Sequence, residues 1–156
     1  NEKVTLREEL KFLEDYITIE KMRYMEMFDV ETQVEKEELY EAKIIKLTLQ
    51  PLVENAIFSG IEPGGKNGNI RIHIWQEENR LCVSVRDDGV GMTEEKIREI
   101  MENPQKRKGD TMSGIGLPNV DQRIKLVYGE SYGIHIRSRV GEYTEILVTL
   151  PIEYGK

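Results

Sequence analysis

The middle of the chain carries two neighbouring runs in which apolar and polar residues alternate. Isoleucines occupy every second position from 70 to 74, and Leu81, Val83 and Val85 repeat the pattern. A period of two is typical of a β-strand with one buried face. The polar stretch Glu77-Glu78-Asn79-Arg80 between the runs suits a turn. The pattern therefore predicts an antiparallel hairpin whose apolar face must be covered by other elements.

Helix signals surround this hairpin. Thr5 and Glu8 have the spacing of a capping box, and Pro51 and Pro118 suit the first turn of a helix. Gly60 suits the end of a helix. We predict helices at 6–22, at 47–59, after Thr93 and at 117–128, and further strands at 28–35, 134–138 and 144–150. Because helices must cover the apolar face of a sheet, we expect an α+β fold, a two-layer α/β sandwich with a mixed, mainly antiparallel sheet and helices on one face.

Composition limits the functional classes. The chain has 156 residues, a length that fits one domain, and its net charge of −7 argues against nucleic-acid binding. One cysteine and two histidines argue against a disulfide framework and a structural zinc site. The longest stretch without charge, Thr111 to Val120, is too short and too polar to cross a bilayer, so we expect no direct membrane contact by residues 1–156. Because the sequence begins with Asn and has no signal peptide, we expect a piece of a longer protein.

The predicted second helix carries two adjacent polar residues, Glu54 and Asn55, inside an apolar run. One interpretation is that both side chains face solvent. The other is that Asn55 offers its side-chain oxygen to a hard cation such as Mg²⁺, which keeps most of its waters and takes few protein ligands. The sequence leaves both interpretations open.

Two further segments contain glycines. One follows a predicted strand, and the other lies at the end of a polar loop. Asp87 ends a strand in its inward phase, and Asp88-Gly89 suits a turn. A buried carboxylate needs a hydrogen-bond donor, and the exocyclic amine of a base is one candidate. Gly114-Ile115-Gly116 precedes a helix, where backbone N–H groups and the helix dipole favour an anion. An ordinary loop is the alternative for this last segment.

The order of these segments resembles the nucleotide pocket of the Bergerat-type fold, the GHKL ATPase superfamily of gyrase, Hsp90, MutL and histidine kinases. The stretches LQPLVENA, DDGVGM and GIGLPNVDQRIKLVYGE are similar to the catalytic half of LytS/YesM-type sensor histidine kinases. The N-terminal TLREELKFLEDYITIEKMRY resembles the segment that leads into that domain. The resemblance covers nearly the whole chain.

This resemblance implies a single histidine-kinase-like ATPase domain over 1–156, with a helical lead-in over 1–25 and an ATP lid over 103–116. Its cofactors would be ATP and Mg²⁺, and it would donate the γ-phosphoryl group to a histidine on the missing upstream domain of a two-component sensor histidine kinase. Its partners would be that dimerisation and phosphoacceptor domain and, indirectly, a response regulator. The parent would be an integral membrane protein with this domain on the cytoplasmic side.

The resemblance also assigns roles to particular residues. Asn55 would be the magnesium ligand, Asp87 would accept a hydrogen bond from the adenine amino group, and Thr144 would assist directly or through water. The other residues assigned to the nucleotide are Ser59, Gly89, Gly91, Met92, Gly114, Gly116 and Leu117. Glu54 would have a supporting role. Lys106, Arg107 and Lys108 lie in the lid and are either phosphate contacts or a solvated basic run.

The chain departs from the family pattern at two positions and from its hydrolytic relatives at a third. Ser59 replaces a frequent His, and Tyr143 replaces the second glycine of a GxGT motif. Pro51 stands where hydrolytic relatives carry a general-base Glu, so we expect no fast ATP hydrolysis. Two alternatives stay open. One is an anti-sigma-type serine kinase of the same fold. The other, which the departures at Ser59 and Tyr143 leave open, is a non-enzymatic ATP-binding regulatory domain.

The other residues that suggest chemistry give weaker support for a function. The stretch from Gly60 to Asn67 nearly matches a P-loop but lacks the final Ser or Thr, and it follows a helix instead of a strand. His73 and His135 share the outward phase of their strands with arginine residues, so we predict surface positions for both. The phosphoacceptor motif Pro-His-Phe does not occur in the sequence.

Overall fold

The computed structural model describes residues 2–65, 67–102 and 116–155, and a five-stranded sheet forms the centre of this part of the chain. Its strands are β2 (Phe28–Val34), β4 (Gly68–Glu77), β5 (Arg80–Asp87), β6 (Gly133–Arg139) and β7 (Tyr143–Pro151). A separate pair joins β1 (Lys3–Thr5) to β3 (Lys43–Ile45) in antiparallel orientation. This small pair was not predicted, because three residues are too few to show a period.

The strand order of the main sheet is β2-β4-β5-β7-β6. β2 runs parallel to β4, and the remaining neighbours are antiparallel. The predicted hairpin is present as β4 and β5, with Glu77 paired to Arg80 across the turn. The sheet is therefore mixed and mainly antiparallel, as predicted.

Helical segments alternate with these strands. In chain order they are α1 (Leu6–Arg23), a 3₁₀ segment (Glu37–Glu41), α2 (Gln50–Asn55), a π segment (Ala56–Ile61), α3 (Glu62–Gly64), α4 (Glu94–Glu102) and α5 (Leu117–Tyr128). None of the helices in the described part of the chain is long and apolar enough to span a membrane.

One apolar core lies between the sheet and the helices. The inward residues of β4, β5 and β7 are buried there together with side chains from α1, α2 and α5. The opposite face of the sheet is polar and aromatic, with His73 stacked on Trp75 at 4.7 Å between ring centroids. His73 is half-buried and His135 is exposed, in agreement with their predicted surface positions. The α+β fold class is confirmed.

Two predicted helix starts are present with their caps. The Glu8 amide donates to Thr5 Oγ1 at 3.1 Å, and the Thr5 amide donates to Glu8 Oε1 at 2.9 Å. At the start of α4, the Lys96 amide donates to Thr93 Oγ1 at 3.0 Å. These bonds satisfy N–H groups that lack an intrahelical acceptor. Because each bond joins residues three positions apart, the sequence alone is enough to predict it.

The prediction that Gly60 ends the second helix is wrong. The helix begins at Gln50, changes to the π segment at Ala56 and continues through α3. Gly65 ends it with a φ of +67°, a left-handed conformation that glycine adopts without steric cost. Gly60 lies inside the π segment, and the reason for a glycine there lies in its contact with another element.

Candidate functional site

The end of β5 meets the π segment at two residues, Asp87 and Gly60. The Asp87 side chain is buried, with 2% of its surface exposed. A Cβ atom on Gly60 would lie 2.4 Å from Asp87 Oδ1, closer than real Cβ contacts allow. The absence of a side chain at Gly60 is therefore what lets the helical segment lie against the carboxylate.

The Asp87 carboxylate has one hydrogen bond from the described residues, in which the Gly89 amide donates to Oδ1 at 2.8 Å. Burial raises the pKa of Asp87 from its ordinary value of 3.8 to about 7, the Gly89 bond opposes this, and the charge of Asp88 adds to it. A carboxylate can accept several bonds, so Asp87 keeps acceptor capacity for a donor from outside the protein.

The glycines after β5 have close backbone neighbours. A Cβ on Gly89 would lie 2.2 Å from the Gly60 carbonyl, and the Val90 amide donates to that same carbonyl oxygen at 3.1 Å. Gly91 has a φ of +74°, and a Cβ there would lie 2.1 Å from the carbonyl oxygen of Arg139. Packing within the protein thus requires both glycines, and their assignment to the nucleotide stays a prediction.

Thr144 lies beside Asp87 as its paired residue across β5 and β7. Its side chain is buried, and its Oγ1 lies 2.8 Å from Ser138 Oγ. The Met92 amide donates to the same Ser138 oxygen at 2.7 Å. Thr144 and Met92, both assigned from the family pattern, are therefore joined next to Asp87 by a residue that sequence reasoning missed. The available signal was the inward phase of Ser138 between two outward arginines of β6.

Glu54 and Asn55 are both buried, with 0% and 6% of their surfaces exposed. The interpretation that both face solvent is therefore wrong. Burial does not by itself leave the Asn55 amide without a partner: in the described part of the chain, the buried side-chain polar atoms that lack a hydrogen-bond partner lie on Tyr16, Arg123 and Tyr128. The role of Asn55 as a magnesium ligand therefore stays a prediction.

The π segment relates Asn55 to Gly60. Its backbone bonds join residues five apart, which brings positions 55 and 60 towards one side of the helical segment. Asn55 therefore lies on the same stretch of helix as the glycine that contacts Asp87. Ser59, between them, is half-buried.

The start of α5 contributes Gly116 and Leu117, of which Leu117 is buried and Gly116 is half-buried. Gly116 is the N-cap residue, and Pro118 lies in the first turn as predicted. Of the predicted lid over 103–116, residues 103–115 lie outside the described residues, and these include Lys106, Arg107, Lys108 and Gly114.

This arrangement suits a ligand that has an N–H donor and binds a hard cation. Asp87 offers a buried acceptor, and Asn55 offers an amide oxygen. The described residues contain no group of three or more His, Cys, Asp and Glu side chains placed to hold a metal. A cation held by one amide and the phosphates of a ligand is consistent with the way Mg²⁺ binds.

Comparisons with known proteins identify the family and the fold of the chain. The sequence pattern of the family described as "Histidine kinase-, DNA gyrase B-, and HSP90-like ATPase" matches residues 41–154. The sensor histidine kinase YesM of Bacillus subtilis (strain 168) is 36% identical over 148 residues, which is 95% of this chain and 24% of YesM. The sensor protein LytS of Bacillus anthracis is 28% identical over 153 residues, which is 98% of this chain and 26% of LytS.

The chain thus spans about a quarter of the length of these curated relatives. Among solved structures, the nucleotide-free catalytic domain of the histidine kinase ThkA aligns with a TM-score of 0.67 and 20% identity. That alignment covers 99% of this chain and 98% of the ThkA domain. At this identity, the likeness supports the fold.

Proposed function

Because the chain belongs to the family of histidine kinase-, DNA gyrase B- and HSP90-like ATPases, we propose that it binds Mg-ATP between Asp87 and Asn55 and donates the γ-phosphoryl group to a histidine. That histidine would lie on an upstream domain of a two-component sensor histidine kinase. Residues 1–156 would form one catalytic domain, with a lead-in over 1–25 and a lid over 103–116.

The observation that carries this proposal is the Asp87 carboxylate, which is buried at a strand end and accepts one hydrogen bond from within the described part of the chain. The adenine amino group is a donor of the right kind, and a bond to a carboxylate is stronger than one between neutral groups. Thr144, paired with Asp87, would add a hydroxyl on the same side. These two residues would select and orient the base.

Asn55 would hold Mg²⁺ through its side-chain oxygen, with Glu54 in a supporting role. When bound, Mg²⁺ neutralises charge on the phosphate oxygens. The chain's own residues would bind and orient the nucleotide, because phosphoryl transfer depends mainly on positioning and electrostatic stabilisation. Pro51 lies in the first turn of α2 and cannot take a proton from water, so transfer to an imidazole is favoured over hydrolysis.

The wider setting is also part of the proposal. The relatives are named as sensor kinases, so we expect the parent to be an integral membrane protein with this domain at the cytoplasmic side. Its direct partner would be its own dimerisation and phosphoacceptor domain. A response regulator would receive the phosphoryl group afterwards.

Two measurements test the proposal. Calorimetry should detect binding of Mg-ATP to residues 1–156, and absence of binding would reject it. Radiolabelled ATP should then label a separately supplied phosphoacceptor domain from the parent protein. Phosphohistidine is lost in acid, whereas phosphoserine survives acid. Acid-stable label would therefore favour the serine-kinase alternative, and binding without any transfer would favour the non-enzymatic one.

A further inference from the structure

The turn between β3 and α2, residues 46–49, is held by hydrogen bonds to a side chain of α1. The Glu9 carboxylate accepts backbone N–H bonds from Leu47 at 3.1 Å, Thr48 at 2.8 Å and Leu49 at 3.0 Å. Glu9 is buried, with 4% of its surface exposed. Three bonds to one buried carboxylate fix the turn against α1, because each charge-assisted bond is strong and directional.

A side chain of α5 forms hydrogen bonds with the carbonyl oxygens of the same turn. Arg123 donates from Nη1 to the Lys46 carbonyl oxygen at 3.1 Å and from Nη2 to the Leu47 carbonyl oxygen at 2.8 Å. Burial lowers the pKa of Arg123, and the charge of Glu9 opposes that effect. We name Glu9, Arg123 and residues 46–49 together the bracket.

The bracket supplies the hydrogen-bond acceptor that the local sequence at the start of α2 lacks. Leu49 is the N-cap residue of α2, and it supplies no side-chain cap bond. Leu47 has a φ of +65°, which is uncommon for a residue with a branched side chain. The first N–H groups of a helix need acceptors and attract negative charge. Glu9, on a different element, accepts a hydrogen bond from the N–H of the N-cap residue Leu49 and places a carboxylate at this end of α2.

We propose that Glu9 and Arg123 are positioning residues of the nucleotide site, which set α2 and thereby place the Asn55 side chain for the metal. This inference rests on the proposed function. Asn55 follows this turn by six residues. The position of its side chain along and around the helix axis therefore depends on where α2 begins. Arg123 lies on α5, which starts at Leu117 beside the predicted lid. One turn therefore ties α1, α2 and α5 together next to the site.

The alternative is that the bracket only stabilises the fold. A stabilising role would lower affinity for nucleotide equally with and without metal. A positioning role acts through Asn55, so its effect should need both Mg²⁺ and the Asn55 amide. The two roles are therefore separable by a double-mutant cycle.

The experiment measures ATP affinity by calorimetry in Mg²⁺ and in EDTA for the wild type, Glu9→Gln, Asn55→Ala and the double variant. Glu9→Gln keeps the shape but turns an amide donor towards backbone donors. Groups that orient a metal ligand account for about 10- to 100-fold in affinity, so we expect a roughly tenfold loss in Mg²⁺ and less than about threefold in EDTA. In the Asn55→Ala background, the Mg²⁺ effect of Glu9→Gln should disappear.

Controls keep the outcomes distinct. Glu14→Gln removes an exposed carboxylate from the same helix and should leave affinity unchanged. Circular dichroism checks folding, and Arg123→Lys, which loses the two-pronged donor geometry, replaces Glu9→Gln if that variant does not fold. If the wild type fails to bind Mg-ATP, the proposed function fails. If it binds, and a folded bracket variant loses affinity equally in Mg²⁺ and EDTA or not at all, only this inference is overturned.

Discussion

Gly60 and Asp87 are packed so closely that a Cβ atom on Gly60 would lie 2.4 Å from Asp87 Oδ1. The contact joins the helical stretch that carries Asn55 to the strand end that carries the carboxylate. Both halves of the proposed site are therefore held in register by a residue without a side chain.

Gly60→Ala tests this contact. The added methyl group must displace either the π segment or the Asp87 carboxylate, and overpacking of this kind costs about 1–3 kcal/mol. We expect a lower free energy of urea-induced unfolding and a loss of ATP affinity of more than about tenfold in the folded variant. Gly65→Ala is the comparison, because no atom lies within 4 Å of its Cβ position although its φ is positive. Unchanged nucleotide affinity in Gly60→Ala would contradict the assignment of Asp87.

Asp87→Ala removes the proposed base acceptor. A hydrogen bond to a charged group is worth about 1.5–3 kcal/mol, so affinity for ATP should fall by roughly 10- to 150-fold. Calorimetry in the same buffer as the wild type measures the change. A folded variant with wild-type affinity would show that the adenine amino group binds elsewhere.

Asn55→Ala separates metal binding from base binding. If Asn55 is the magnesium ligand, its removal should weaken ATP binding by about tenfold in Mg²⁺ and only slightly in EDTA. Competition with a fluorescent ATP analogue measures both conditions. Equal losses in the two buffers would remove Asn55 as a metal ligand.

Asp87 should also make stability depend on pH. Its pKa is raised to about 7 in the folded protein from an ordinary value of 3.8. Between these pH values the folded state holds the proton more tightly than the unfolded state, so the free energy of unfolding falls as pH rises from about 4 to 7. Asp87→Asn cannot lose a proton, so it should lack this decrease.

The nucleotide-free variant should then melt at a higher Tm than the wild type at pH 8, by about 5 °C or more, with a smaller difference at pH 4.5. Differential scanning calorimetry at the two pH values gives the comparison. A constant difference between the variant and the wild type would mean that the pKa of Asp87 is not raised in the folded protein.

The sequence predicted the elements whose signals are local. The Thr5 and Glu8 capping box and the alternation that places Asp87 in the inward phase each depend on residues a few positions apart. The main strands followed from the same period of two. These features were predictable because the interacting groups are neighbours in the chain.

Features made by distant residues were not predictable in this way. Gly60 was interpreted as a helix stop, because a glycine near a helix end has that local meaning, whereas its role depends on Asp87. Ser138 was missed because its partners, Met92 and Thr144, come from other segments. Only the three-dimensional packing brings such residues together.

The hydrogen bonds from the start of α2 to Glu9 also affect the choice of fragment boundaries for expression. The family match begins at residue 41 and leaves out the whole of α1. A fragment trimmed to that boundary would leave the amides of Leu47, Thr48 and Leu49 without their acceptor, beside an uncompensated guanidinium of Arg123. By this criterion the smallest intact domain starts before α1, and shorter expression boundaries would remove part of the scaffold of the proposed nucleotide site.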